Sequence, residues 1–148
     1  NVNRIFPSSD VTTGAKLTFN VNASEPLTEG NKSYEHFIHV KFQEKSSSVN
    51  AKSTFSFQLN EDFRRFSTKF SYITSSDSPR NLEPVTLTVY LTNSSDKVTI
   101  YKTYKLSSIQ KSVDIDIPLR GYKAIEFDIS NTSLKEQEVV MLNPVLVK

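Results

Sequence analysis

Hydrophobic side chains recur at every second position through almost the whole chain, and this period constrains the fold more than any other feature. The clearest stretch is VTLTVYLT, where Val85, Leu87, Val89 and Leu91 alternate with Thr86, Thr88, Tyr90 and Thr92. The same alternation marks KLTFNV (16–21), HFIHVKFQ (36–43), STFSFQL (53–59), FSTKFSY (66–72), VTIYKTYKL (98–106), VDIDIPL (113–119), AIEFDI (124–129) and the closing VLVK (145–148). Side chains alternate between the two faces of a strand, so each segment has one apolar and one wet face. The sequence therefore predicts about eight or nine short strands in antiparallel sheets packed face to face, an all-β sandwich.

Punctuation between these segments fits that plan. Clusters such as SSDSPRN and TNSSDK supply turn residues, and no long stretch carries a 3.6-residue period. EKSSSVNAKS (44–53) reads as the most flexible segment, and NTSLKEQEVV (131–140) as a loop. The chain has only 3 glycines. Gly121 follows Pro118 where the alternation breaks between VDIDIPL and AIEFDI, which predicts a turn with positive φ.

With 148 residues the chain reads as a single domain, 1–148. It begins with Asn rather than Met, which reads as a piece cut from a longer protein. A net charge of +2 with scattered Lys and Arg argues against nucleic acid or an anionic membrane as partner, and no apolar run is long enough for membrane insertion. The absence of cysteine removes disulfides, thiolate metal sites and cysteine nucleophiles together. If the domain is exported, that absence leans towards a bacterial source. Four N-x-[ST] sequons, at Asn22, Asn31, Asn93 and Asn131, would matter only in a eukaryotic secreted protein.

Catalytic chemistry finds no foothold. His36 and His39 are three apart, on opposite sides of a strand, and cannot converge on one ion. Asp114 with Asp116, and Glu126 with Asp128, sit ~7 Å apart along their strands. Alternating acids on a wet face are the ordinary solubilising pattern, and no G-x-S-x-G elbow is present. The expectation is a non-enzyme. The more informative residues are aromatic: Phe37, Tyr90 and Tyr101 fall on polar faces, and Tyr34 and Tyr122 fall in turns. Aromatic rings stack on the apolar face of a sugar, while Arg80, Asn81 and Arg120 in loops offer hydrogen bonds to hydroxyls.

The order of these features resembles the NPCBM family, the novel putative carbohydrate-binding modules with a galactose-binding-like jelly-roll fold. EPLTEGNKSYEHFIHVK resembles the family's opening, and VDIDIPLRGYKAIEFDI its strand, glycine, lysine and strand run, with Gly121 and Lys123 at the corner. VVMLNPVLV resembles its last strand, with Asn143 and Pro144 at a polar-proline corner. Phe37, Lys41, Met141 and the SSDK turn depart from the family pattern, which implies a divergent member.

That resemblance implies a non-catalytic carbohydrate-binding module of a secreted or cell-surface protein, targeting it to a glycan or polysaccharide. Loops at one end of the sandwich would form the site, and the candidates by turn placement and residue type are Tyr34, His36, Arg80, Asn81 and Tyr122. No cofactor is expected, although the fold often carries a structural calcium ion and the oxygen-rich loops are compatible with one. The alternative is a structural or protein-interaction sandwich of a cell-surface, envelope or virion protein, which the absence of Trp favours.

Overall fold

The computed structural model describes residues 9–13, 15–20, 27–29, 32–34, 36–43, 51–59, 62–73, 83–131 and 137–148. Before residue 36, only the side chains of Ala15 and Leu17 are described. Among the described residues the elements are all strands: β1 (Ser9–Thr13), β2 (Ala15–Asn20), β3 (Leu27–Glu29), β4 (Lys32–Tyr34), β5 (Phe37–Phe42), β6 (Ala51–Gln58), β7 (Arg65–Tyr72), β8 (Val85–Asn93), β9 (Val98–Leu106), β10 (Ser112–Pro118), β11 (Tyr122–Asn131) and β12 (Gln137–Val147).

One five-stranded sheet has the order β1-β6-β11-β8-β9, the other β10-β7-β12-β5-β2, and β3 pairs with β4 in a small hairpin. Every ladder is antiparallel, giving the expected all-β sandwich. Apolar residues from both inner faces form the core, as period-2 patterning requires. Val85, Leu87, Val89 and Leu91 of β8 are all buried, with their threonine neighbours facing outward. At the centre, Phe127 lies within 5.4 Å of Phe55 and 6.2 Å of Phe57 in its own sheet, and 5.1 Å from Phe66 in the facing sheet.

Three departures from the expected pattern have local causes. Gln137–Val140, expected in a loop, open β12 and pair with β5, because Val139 faces the core. Ala51 and Ser53, expected in a flexible segment, already belong to β6 and are buried. Phe37, expected on a polar face, is buried with Val140 and Leu142 against Ile73. These side chains alternate with the core-facing ones, so this sheet carries a second apolar cluster on its outer surface.

In β9 the alternation holds only for the second half. A bulge opposite Val89/Tyr90 changes the register, pairing Lys102 with inward Val89 but Ile100 with outward Tyr90. Val98 and Ile100 are consequently 58% and 62% exposed. The corner at Asn143 and Pro144 is also a bulge, since the β12–β7 register shifts between Leu142 and Val145. Asn143 takes φ +47°, and its N–H donates to the His36 carbonyl at 3.0 Å. The inward Thr68 hydroxyl donates to the carbonyl of Leu142 at 2.9 Å, which satisfies a polar group on the core side.

Gly121 has φ +86° and occupies the third position of the turn closed by the Tyr122 N–H donating to the Leu119 carbonyl at 3.1 Å. A residue with positive φ at that position alone defines a type II turn, so glycine is needed for its backbone. An added Cβ would meet nothing within 4 Å. Gly121→Ala is therefore expected to cost about 1–2 kcal/mol from backbone strain alone, read as a lower denaturation midpoint. A neutral or stabilising result would contradict the turn assignment.

Candidate functional site

The turn at Gly121 forms one wall of an open cleft of about 570 Å³ at one end of the sandwich. Here β6, β8, β10 and β12 end while β7, β9 and β11 begin. Its apolar floor comes from Leu59, Phe63 and Leu119, all buried, and the half-buried Tyr122 stands beside them. The exposed rim carries Asp62, Arg64, Ser94, Arg120 and Lys123, with Lys148 also in the lining. Ligand sites typically span roughly 300–1,000 Å³ and combine apolar walls with a few placed polar groups. This cleft has both properties.

Backbone hydrogen bonds fix its frame. The Leu59 N–H donates to the Lys123 carbonyl at 2.8 Å, Arg64 N–H to the Val147 carbonyl at 2.7 Å, and Leu119 N–H to the Arg64 carbonyl at 2.8 Å. Lys123 forms an ion pair with Asp96, joining the β8–β9 turn to the start of β11. That turn is closed locally: the Asn93 Oδ1 accepts from the backbone N–H groups of Ser95 and Lys97 at 2.9 and 3.0 Å, and Asp96 takes φ +66°. The Oδ1 atoms of Asn93 and Asp96 are thus already engaged. Among the described residues no group of three or more His, Asp or Glu side chains is placed to hold an ion.

The five sequence-derived candidates do not all meet at this cleft. Tyr122, expected in a turn, is the first residue of β11 and lines it. His36 precedes β5, where its carbonyl accepts from Asn143; it is not among the lining residues. Tyr34 is the last residue of β4, with its side chain outside the described residues. Arg80 and Asn81 lie outside the described residues altogether. Among the described residues, β7 ends at Tyr72 and β8 begins at Val85 at the end of the sandwich away from the cleft. Arg120, also read from the sequence as a hydrogen-bonding residue, does line it.

Sequence reasoning missed Asp62, Phe63, Arg64 and Ser94. The signal available was Phe63 in NEDFRRF, an apolar residue outside the alternation that begins at Phe66. The paired acids also differ from expectation. Asp114 and Asp116 are exposed as expected, whereas Glu126 and Asp128 are partly buried on the outer face of β11. Asp128 accepts the Thr54 hydroxyl at 2.6 Å and pairs with Lys52 at 3.1 Å. Burial, with the neighbouring Asp128 charge, holds the Glu126 carboxyl above the usual carboxylate range.

No protein-family model matches the chain, and no curated protein matches it. Solved structures do resemble it. The structure of CBM51 from Clostridium perfringens GH95 in complex with methyl-galactose superposes with TM-score 0.64 at 12% identity, covering 97% of this chain and 95% of that one. The structure of the M60 catalytic domain with the CBM51-1 and CBM51-2 domains from Clostridium perfringens ZmpB gives 0.65 at 10% identity, covering 100% of this chain and 15% of that one. The enzymatically active domain of Bacteriophage CBA120 tailspike protein 4 gives 0.52 at 10% identity, over 94% of this chain and 19% of that one. The chain shares its β-sandwich fold with these CBM51 structures.

Proposed function

We propose that this chain is a non-catalytic glycan-binding module and that the cleft beside Tyr122 holds the sugar. One observation carries this reading: an aromatic ring and arginines from separate turns converge over an apolar floor at the loop end of the sandwich. The ring would stack on the apolar face of a pyranose while the rim hydrogen-bonds its hydroxyls. The likeness to a CBM51 sandwich in complex with methyl-galactose, and the NPCBM-like order of features around Gly121 and Lys123, support a divergent member of that family. Such a module, attached to a secreted or cell-surface protein, would raise the local concentration of its partner domain at a polysaccharide. An open cleft buries little area, so affinity for a single sugar would be weak.

A glycan array followed by calorimetry tests the reading. Tyr122→Ala and Arg120→Ala are each expected to weaken binding at least about tenfold, the loss of one well-made stacking or charged contact. Alanine at Tyr34, His36, Arg80 and Asn81, scanned alongside, shows whether the site extends beyond the cleft. Undiminished binding in both cleft variants would overturn the assignment.

A docking role for another protein is favoured by a different observation, the exposed Val98, Ile100 and Tyr101 on the edge strand β9. If charged substitutions at Val98 and Ile100 abolished the function while the cleft variants did not, that second reading would stand in place of the first.

A further inference from the structure

Arg65 pairs with Asp116 at 3.1 Å, Lys52 with Asp128 at 3.1 Å, and Lys123 with Asp96. Arg64 and Arg120, like several surface lysines, have no ion-pair partner among the described residues, and what sets these two guanidiniums apart is that both line the cleft. They come from separate turns, one before β7 and one between β10 and β11, and the Leu119 N–H donating to the Arg64 carbonyl at 2.8 Å holds those turns together. Asp62 is the one carboxylate side chain in the lining among the described residues.

Among the described residues the side-chain acceptors in the lining are the Asp62 carboxylate and the Ser94 and Tyr122 hydroxyls, against the donors of Arg64, Arg120, Lys123 and Lys148. A neutral sugar presents hydroxyls that both donate and accept, and sites for it need both capacities. No Asn or Gln lines the cleft among the described residues, and each guanidinium brings five donors and no acceptor. Such a donor-rich cleft fits a ligand rich in acceptors. Guanidinium groups match the planar carboxylate, and the oxygens of a sulfate, in paired hydrogen bonds.

Resting on the glycan-binding reading above, we propose that the cleft selects an acidic saccharide, one bearing a carboxylate or sulfate, whose anionic group sits between Arg64 and Arg120 while its ring lies against Tyr122. Selection comes from two unpaired guanidiniums facing an open, partly apolar cavity, where a charged ligand is less screened than on a flat surface.

Calorimetry on the intact chain with matched probes tests this: methyl galactoside, galacturonic acid, a sialyl glycoside and a galactose sulfate. At least one acidic probe is expected to bind at least about tenfold tighter than the neutral one, with the preference shrinking as salt rises. The carboxylate and sulfate arms distinguish the two sources of negative charge. The Arg64→Gln/Arg120→Gln double variant is expected to lose the preference while keeping the native denaturation midpoint, since both side chains are exposed. Arg120→Lys should restore part of what Arg120→Gln loses. If methyl galactoside binds as tightly as the acidic probes, or the double variant keeps the preference, the charge selection is overturned and the glycan reading survives. If no saccharide of either kind binds, both fall.

Discussion

Phe127→Ala is expected to destabilise the domain by about 3–5 kcal/mol, the range for emptying a buried phenylalanine site. Phe127 is fully buried on β11, stacked on Phe55 at 5.4 Å, edge-on to Phe57 at 6.2 Å and tilted against Phe66 at 5.1 Å. Phe66 belongs to the other sheet, so the same ring that packs within one sheet also fixes the spacing between the two. Removing it leaves a void that neither sheet can close alone, because hydrogen-bonded neighbours hold each in place. Against a total stability of roughly 5–15 kcal/mol, a loss of that size leaves a substantial unfolded fraction. Urea denaturation read by intrinsic fluorescence would show it as a lowered midpoint with an unchanged slope. Phe127→Leu, which conserves more of the volume, should cost markedly less. A loss below about 1 kcal/mol for the alanine variant would mean that the phenylalanine cluster is not the junction between the sheets.

The inward residues around that junction were legible in the sequence because burial on one face of a strand imposes period 2. VTLTVYLT, STFSFQL and AIEFDI each place every second residue in the core as the pattern predicts. The pattern fails where a second constraint acts on the same strand. Phe37 looks exposed by parity, yet the outer surface of its sheet has its own apolar cluster with Val140 and Leu142, and parity cannot distinguish one buried face from two. Ile100 looks core-facing by continuity, yet a bulge opposite Tyr90 reverses the faces midway along β9. Bulges depend on the partner strand, and a single segment carries no record of its partner.

The candidate site was legible only in part for a related reason. Its lining comes from Leu59 with residues 62–64, from Ser94, from 119–123 and from Lys148, four stretches brought together by sheet topology. Gly121 announced a turn, and the residues beside it, Arg120 and Tyr122, were identifiable from type and placement. Nothing local links them to Phe63 or Arg64. Conversely, strand ends that look equivalent in sequence fall at opposite ends of a sandwich: β10 ends at the cleft, while β7 ends on the far side.

Tyr72 is buried at the far end, and its hydroxyl is expected to make the protein's stability depend on pH in the alkaline range. Tyr72 is 1% exposed, and its hydroxyl reaches the carbonyls of Glu83 at 2.5 Å and Leu106 at 3.0 Å. Gln137 Nε2 donates to the same Glu83 carbonyl at 2.8 Å and is itself bonded through Oε1 to Asn131 at 2.7 Å. Burial penalises the tyrosinate, pushing the phenol from an ordinary 10.0 up to about 12. Because the folded value lies above the unfolded one, its contribution is complete below about pH 10 and is lost as pH rises towards 12. Tyr72→Phe should therefore cost about 1–3 kcal/mol near neutral pH, through carbonyls that lose their shared donor. The gap between wild type and variant should then narrow as pH climbs past 10, since the variant has no phenol there to ionise. Every other ionisable side chain is common to both proteins and cancels in the difference. Paired denaturation midpoints across that range read the gap directly, and a gap that stays constant would show that the hydroxyl is not the group whose burial couples folding to pH.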